Sequence, residues 1–412
     1  MLLNHSSATR LKRPRCKVLP ITHTHTHTHT HTVCVSSVAG FSLMALKWIF
    51  TLLMVLVIFQ GVCVVFYYIP NTHLSGDAMT EALQKLRCAK LRCKFSVIKP
   101  AKSIKLKSFT QELSDFMSCP YKSNKTEREL NRIRLQFCCN ATGSFILTKS
   151  NTAINQSIQY ETSTTKTFKM NAALHSMLPE DNPWSGRRMG RCAVVGSGGI
   201  LKNSSCGHEI DNADYVIRFN LATVNDSDVG LKTDLITINP SQLRSVYKNL
   251  EKNPDPLVKR VSVYGNAFLI IPAFAFTICT STSIKTLKVL QPIRPQQPVV
   301  FFSPSYMRTL DCFWKGRGLR EVRLSTGFLL ISTALELCEH VHIYGFWPFD
   351  SDLQDQPIPY HYYDLKRPHP YMHKMPEEFV RLLQLHSQGA LTLHLQPCSS
   401  PGADRENHYR VA

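Results

Sequence analysis

Short apolar runs alternate with helix-like stretches from Cys192 to near the end of the chain. Apolar residues recur at the helical period of about 3.6 most clearly in residues 326–338 and 377–386. The runs that predict strands are residues 193–195, 215–219, 235–238, 261–264, 268–272, 299–302 and 341–344. Such alternation is typical of an α/β layer fold with a largely parallel sheet.

A long apolar segment lies near the N-terminus. Residues 48–68 contain no charged side chain, and a helix rising about 1.5 Å per residue would span the roughly 30 Å hydrocarbon core of a bilayer. A cleaved signal peptide is the alternative, but its apolar region is usually about 7 to 15 residues long. The basic residues before the segment are Arg10, Lys12, Arg13, Arg15, Lys17 and Lys47. The positive-inside rule therefore predicts a cytosolic N-terminus and type II topology.

These patterns divide the chain into regions. We expect a cytosolic tail at 1–47, a signal-anchor at 48–69, a stem at 70–135, a luminal domain at 136–398 and a C-terminal tail at 399–412. Met44 would serve as a start, so we interpret residues 1–43 as an extension of the gene model. The His-Thr repeat at 23–32 is interpreted as low-complexity sequence rather than a metal-binding tract, because a strict dipeptide repeat has no designed ligand geometry.

Composition and charge narrow the class of protein. The apolar fraction of 43% is ample for a packed core, and the net charge of +19 favours anionic partners. Eleven of the fourteen cysteines follow the anchor, so several should form disulfides in an oxidising compartment, with at least one unpaired. Glycosylation acceptor patterns occur in the same part of the chain, at Asn124, Asn140, Asn155, Asn203 and Asn225.

A glycine-rich turn follows the first apolar run. In residues 193–199 a buried strand meets glycines that would let backbone amides approach a ligand, which suggests a nucleotide cradle. The dinucleotide fingerprint fails at Leu201, and the second strand leads to Asn220 rather than to a carboxylate. An NAD or FAD enzyme is therefore disfavoured, although Asn220 suits a nucleotide's ribose or phosphate. The alternative is a glycine turn that serves packing alone.

Two further segments suit an anionic or aromatic ligand. Ser325 and Thr326 stand at a helix entrance, where hydroxyls and free amides favour a phosphate. Helix capping alone would also explain Ser325. Phe346 and Trp347 follow the last predicted strand, where open α/β sheets place ligands. They would wall a base or sugar, with core packing as the alternative.

The densest group of titratable and aromatic side chains lies at His361-Tyr-Tyr-Asp364 and at residues 373–378. Histidine removes protons near neutral pH, and a nearby carboxylate orients it. The alternative is that both histidines are surface or core residues. The luminal region contains no HExxH, paired CxxC or GxSxG motif, so a zinc site of those kinds and a serine hydrolase lack support, and we do not expect a metal-dependent transferase.

These segments, in order and spacing, resemble the large, small, third and very small sialylmotifs of animal sialyltransferases. They are residues 191–241, residues 323–349, His361-Tyr-Tyr-Asp364 and residues 373–378. The wording Gly-Gly-Ile-Leu-Lys-Asn, Tyr-Gly-Phe-Trp-Pro-Phe and His-Tyr-Tyr-Asp is similar to the α2,8-sialyltransferases, in the branch that adds one or a few sialic acids to gangliosides and glycoprotein glycans. The resemblance covers roughly residues 136–398.

The resemblance implies a Golgi enzyme with a Rossmann-like, GT-A-variant catalytic domain. It would move sialic acid from CMP-sialic acid to a sialylated glycolipid or glycoprotein, with inversion and without metal, other cofactor or nucleic acid. His373 would be the general base, and His361 would assist the departing phosphate. The residues implied in donor binding are Ser197, Asn220, Ser325, Thr326, Gly327, Phe346 and Trp347. The implied disulfides are Cys192–Cys338 and Cys206–Cys398.

Three positions depart from the α2,8 pattern. The relatives usually have asparagine at Ser197, cysteine at Phe219 and often histidine at Tyr360. Ser197 keeps an α2,3 or α2,6 linkage open and makes donor affinity less certain. A catalytically silent sialoglycan-binding protein is a third hypothesis, opposed by the presence of both His361 and His373. The acceptor class, the number of residues added and homodimer formation stay open.

Overall fold

A sheet of seven strands, in which every neighbouring pair is parallel, forms the centre of the structure, a computed structural model. The model describes residues 76–99, 106–163, 165–320, 322–365 and 375–398. The predicted tails and membrane anchor lie outside these ranges, as does His373. Among the helices within them, none is long and apolar enough to cross a membrane.

The strands of the large sheet follow an antiparallel pair, β1 (Ser157–Gln159) and β2 (Thr167–Lys169). The large sheet contains β3 (Met189–Val195), β4 (Tyr215–Arg218), β5 (Leu235–Thr237), β6 (Phe268–Ile271), β7 (Val299–Phe301), β8 (Cys338–Tyr344) and β9 (Thr392–His394). Their spatial order is β7-β6-β5-β4-β3-β8-β9. The chain thus moves outward from β3 to β7 and then returns to place β8 on the other side of β3. Ligand sites in open parallel sheets form at such a switch point.

Helices connect and cover the strands. They are α1 (Gly76–Ser96), α2 (Leu106–Met117), α3 (Lys125–Cys138), α4 (Ala141–Ser144), α5 (Ala172–Ser176), α6 (Gly207–Asp211), α7 (Pro240–Ser245), α8 (Asp255–Ser262), α9 (Thr277–Ile293), α10 (Pro304–Lys315), α11 (Thr326–Leu337) and α12 (Met375–Ser387). The two predicted helical patterns correspond to α11 and α12. Every residue from Phe328 to the end of α11 is buried, which explains why apolar residues occur on all sides of that helix.

Both faces of the sheet are covered. Cys192 and Val194 of β3 belong to one buried cluster, whereas Ala193 and Val195 belong to another. Because both faces are dry, the strands are continuous apolar runs rather than alternating ones. This confirms the predicted parallel α/β architecture.

Two strand expectations need correction. Residues 261–264 are not a strand, since Leu257 and Val261 are buried one helical turn apart on α8. Strand β9 was not predicted. It has three residues, of which only Leu393 is buried, and so short a strand shows no periodic pattern.

The segment expected to be a stem is partly packed into the folded domain. The described residues from Cys88 onward belong to one compact unit, and residues 76–87 to another. Phe95, Leu113 and Phe116 are buried in the same cluster as β3, and a disulfide joins Cys88 to Cys119. The folded domain therefore begins well before residue 136, because amphipathic helices cover the core in a region that looked like a polar spacer.

The structure contains both disulfides that the resemblance implied. Cys192–Cys338 ties β3 to β8 across the switch point, and Cys206–Cys398 ties the start of α6 to the segment after β9. All five predicted glycosylation asparagines are exposed.

Candidate active site

A cavity of about 200 Å³ lies where β3 and β8 end side by side. Eight of the nine predicted catalytic and donor-binding residues line it: Ser197, Asn220, Ser325, Thr326, Gly327, Phe346, Trp347 and His361. The ninth, His373, is outside the described residues. Together with Met375 and Glu378, which also line the cavity, the eight residues bring all four motifs to one site.

The glycines of the turn do not cradle a ligand with their amides, contrary to the expectation. The N–H groups of Gly196, Gly198 and Gly199 donate to the carbonyl oxygens of Tyr344, Gly345 and Tyr360, at 2.7, 2.9 and 3.1 Å. A Cβ on Gly196 or Gly198 would lie 2.6 Å from the Gly345 oxygen. These glycines serve close packing between the turn, the β8 loop and residues 359–361, and that packing shapes the cavity.

Ser197 is held by the third motif. Its carbonyl accepts from the Tyr362 N–H at 3.1 Å, and its side chain is hydrogen-bonded to Tyr363. Burial raises the pKa of Tyr363, so that phenol is neutral and able to donate. Ser197 is thereby tied to the third motif through a tyrosine hydroxyl, which the sequence pattern did not suggest as a site group.

Asn220 has a fixed orientation. It adopts a left-handed backbone conformation, with φ of 51°, and its N–H donates to the Thr237 hydroxyl at 3.1 Å. Its Oδ1 accepts from the Asn239 N–H, also at 3.1 Å. A carboxamide whose oxygen is engaged in this way offers its amino group to a ligand in the cavity.

The N-terminus of α11 faces the cavity. Ser325 is the N-cap, because its hydroxyl accepts from the Phe328 N–H at 3.0 Å, so capping explains this residue. The ligand-facing groups are then Thr326 and the first-turn amides, at the positive end of the helix. Gly327 is needed where it stands, since a Cβ there would lie 2.8 Å from the Phe346 ring. This geometry suits a phosphate.

A glutamate from the last motif holds that helix end. Glu378 is 3% exposed, and its carboxylate accepts from both the N–H and the hydroxyl of Ser325. It lines the cavity together with Met375 and Phe379 of the same helix. The sequence pattern predicted that Glu378 lies on a helix with an apolar face, but it did not predict the hydrogen bonds to Ser325.

Aromatic rings form one wall of the cavity. Phe346 is half-buried, and its ring makes an edge contact with Phe219 at 6.0 Å between centroids. Trp347 is only 5% exposed and donates from Nε1 to the Ser351 carbonyl at 2.7 Å, so most of its surface serves packing. Phe219 also lines the cavity, and its departure from the α2,8 pattern was the one signal of this in the sequence.

His361 is paired with a carboxylate. Its Nδ1 lies 2.8 Å from Oδ1 of Asp364, and its ring stacks on Tyr363 at 5.1 Å. An imidazole oriented in this way presents its other nitrogen for proton transfer. The site therefore combines a helix N-terminus whose geometry suits a phosphate with a histidine oriented by a carboxylate.

Comparisons with known proteins agree on one family. The family model "Glycosyltransferase family 29 (sialyltransferase)" matches residues 145–390. The chain is 40% identical over 293 residues to human "Alpha-2,8-sialyltransferase 8F", covering 70% of this chain and 74% of that protein. It is 38% identical over 316 residues to human "Alpha-2,8-sialyltransferase 8E", covering 76% and 84%.

A bovine "Alpha-N-acetylneuraminide alpha-2,8-sialyltransferase" is 39% identical over 281 residues, covering 68% of this chain and 79% of that protein. Among solved structures, "Crystal Structure of a Mammalian Sialyltransferase" is 20% identical, with a TM-score of 0.45 over 65% of this chain and 95% of the other. The family assignment rests on the sequence matches.

Proposed function

Because the chain belongs to glycosyltransferase family 29, the sialyltransferases, we propose that it is an α2,8-sialyltransferase using CMP-sialic acid. The acceptor in this proposal is a terminal sialic acid on a glycolipid or glycoprotein glycan. The names of the human and bovine relatives support the linkage. The observation that carries the proposal is the meeting of Asn220, the α11 N-terminus and His361 in one cavity.

The donor's phosphate is proposed to lie at the start of α11. There the amides of Thr326 and Gly327 stand at the positive helix end, where they offset negative charge that grows as the phosphate departs. Asn220 and Ser197, which line the same cavity, would hydrogen-bond the nucleotide. Phe346 would contact its apolar surface. In this arrangement protein donors stabilise the leaving group, so we propose transfer without a metal or other cofactor.

The proton transfers are assigned to two histidines. His361, oriented by Asp364, would donate a proton or hydrogen bond to the departing phosphate. His373 is proposed to remove the proton from the acceptor hydroxyl, which would attack from the opposite face and invert the anomeric centre. Both proton transfers limit the charge that builds up on the acceptor oxygen and on the phosphate while the bond between sialic acid and CMP breaks.

We also propose that the enzyme is a single-pass type II protein of the Golgi membrane with its catalytic domain in the lumen. The basic N-terminal residues before the apolar segment support this topology. Three disulfides among the described residues and five exposed acceptor asparagines are consistent with an oxidising, glycosylating compartment.

Transfer assays with an acceptor panel test the linkage. The full-length chain in detergent would be given CMP-sialic acid and matched sialylated or asialo glycans, and product linkages would be determined. We expect transfer to the sialylated acceptors. Transfer only to asialo galactosides would show an α2,3 or α2,6 enzyme, and donor binding without transfer to any acceptor would show a silent protein.

A single variant tests the assigned base. His373→Ala should abolish transfer and leave CMP affinity nearly unchanged, as measured by calorimetry. His208→Ala, at an exposed histidine of α6 outside the cavity lining, is the control and should keep full activity. Normal turnover by the His373 variant would remove that residue from the mechanism.

A further inference from the structure

Three potential metal ligands converge away from the cavity lining. Glu209 of α6, His342 of β8 and His394 of β9 each offer one ligand atom, and the three atoms lie within 4.8 Å of one another. Nδ1 of His342 is 3.0 Å from Nε2 of His394. Nδ1 of His394 is 3.7 Å from Oε1 of Glu209. The proposed reaction uses none of these groups.

The surrounding structure holds the three side chains in place. Strands β8 and β9 are parallel neighbours in which Tyr344 pairs with His394, so His342 lies diagonally across from His394. The Tyr344 ring stacks on the His394 ring at 4.2 Å, and its hydroxyl donates to Oε1 of Glu209 at 2.7 Å. Such an outer contact orients a carboxylate ligand.

A disulfide reinforces the same arrangement. Cys206 immediately precedes α6, and its partner Cys398 follows β9 by a few residues. The covalent bond therefore keeps the helix that bears Glu209 close to the strand that bears His394. A site assembled from three separate elements loses less conformational entropy on binding when those elements are already tied together.

A basic side chain lies near the cluster. The guanidinium of Arg191 is 3.5 Å from the backbone oxygen of Glu209. Arg191 opposes cation binding, and the Glu209 carboxylate supplies a compensating negative charge.

We propose that Glu209, His342 and His394 form a zinc site that joins α6, β8 and β9. Two imidazoles and one carboxylate, with water in the fourth position, are a ligand set that Zn²⁺ accepts in tetrahedral geometry. With Zn–N bonds of about 2.0 to 2.1 Å, two tetrahedral ligands lie about 3.3 Å apart. The two facing imidazole nitrogens are already close to that separation. Binding requires a tautomer change in one ring, and Glu209, whose Oε1 faces the other nitrogen of His394, must turn a carboxylate oxygen toward the metal.

The test measures metal binding directly and does not depend on sialyl transfer. The full-length chain would carry glutamine in place of the five histidines of the His-Thr repeat, at positions 23, 25, 27, 29 and 31, so that closely spaced imidazoles outside the proposed site do not add a signal to the titration. Zn²⁺ would be titrated into metal-free protein by calorimetry, with melting temperature as a second readout. Co²⁺ would then report ligand geometry through its visible absorption bands.

We expect a single Zn²⁺ to bind, to raise the melting temperature, and to be lost in both His394→Gln and Glu209→Gln. Tyr344→Phe keeps the ring stacking and all three ligands but loses the hydroxyl contact, and should weaken binding about 10- to 100-fold. His340→Gln, at an exposed histidine on the same strand, is the control and should bind normally.

Two results would overturn the proposal. Absence of saturable Zn²⁺ binding by the parent protein would leave the three residues as a hydrogen-bonded network. Unchanged binding by His394→Gln would place the metal elsewhere. Since circular dichroism of each metal-free variant reports folding, loss of binding by a folded variant supports the site. A variant that does not fold is replaced by Tyr344→Phe as the deciding measurement.

Discussion

The carboxylate of Glu378 accepts two hydrogen bonds from Ser325, one from the backbone N–H at 2.7 Å and one from the hydroxyl at 2.5 Å. Ser325 caps α11, and Glu378 lies on α12, 53 residues further along the chain. The last sialylmotif therefore holds the helix end at which the donor phosphate is proposed to bind.

Removing that carboxylate should weaken donor binding. Glu378→Gln keeps the shape of the side chain but loses the negative charge that receives both Ser325 donors. We expect the KM for CMP-sialic acid to rise about tenfold, corresponding to a loss near 1.4 kcal/mol, within the range for a charged hydrogen bond. Steady-state kinetics would measure it. Glu377→Gln, the neighbouring residue on the same helix, is the control, and an equal effect there would argue against a specific role for Glu378.

Asp364 should act on turnover rather than on donor affinity. The carboxylate of Asp364 lies 2.8 Å from Nδ1 of His361 and favours the tautomer with a proton on Nδ1. Asp364→Asn replaces it with a neutral amide that has no such preference. We expect kcat to fall about 10- to 100-fold, within the range of acid-base contributions, with little change in KM. Asp355→Asn, an exposed residue of the same region, should behave like the parent. A rise in KM with unchanged kcat would contradict the positioning role.

Gly199 should not tolerate any side chain. A Cβ at this position would lie 1.8 Å from the carbonyl oxygen of Pro359, so the backbone before the third motif must move. We expect Gly199→Ala to destabilise the protein by about 3 kcal/mol, as severe overpacking does, and to impair CMP binding. Denaturant unfolding and calorimetry would measure the two effects. Gly316→Ala is the control, because its Cβ would lie 3.4 Å from the nearest atom, and equal losses in both variants would refute the steric argument.

Glu336 should make stability depend on pH. Burial raises the pKa of this carboxyl to about 7 from an ordinary 4.5, although its Oε1 accepts from the Ala141 N–H. The folded state then holds the proton that the unfolded state releases, so this contribution is complete below pH 4.5 and is lost as the pH rises to 7. The loss amounts to about 3 kcal/mol.

Urea unfolding at a series of pH values would detect that loss. Glu336→Gln keeps an acceptor for the Ala141 N–H and does not titrate, so the stability curve of this variant should be flatter between pH 5 and about 7.5. Glu180→Gln, at an exposed glutamate, should retain the parent's curve. A Glu336→Gln curve parallel to that of the parent would show that this carboxyl does not titrate in the range.

The expected stem is folded from Cys88 onward, although its hydrophobic pattern did not predict a packed region. Helix α2 has a clear apolar face, but α1 and α3 leave large apolar side chains such as Leu83 and Phe137 exposed, so the pattern of the segment considered alone does not mark a buried side. Only the presence of a core that accepts Phe95 and Leu113 makes those positions structural. Helices of this kind gain most of their stability from tertiary packing rather than from their own propensity.

The amino-acid sequence by itself determined the strands β3 to β8 and the two most regular helices, α11 and α12. It also contained the basic and apolar pattern that predicts the membrane topology, and the four motifs in their order. These follow from side chains within a few residues of one another, where periodicity and turn chemistry act. The tertiary structure decided the rest. It placed β8 beside β3, turned the glycine amides toward neighbouring carbonyls, joined Glu378 to Ser325 and brought Glu209, His342 and His394 together. Those contacts depend on the packing free energy of distant segments, which no local pattern contains.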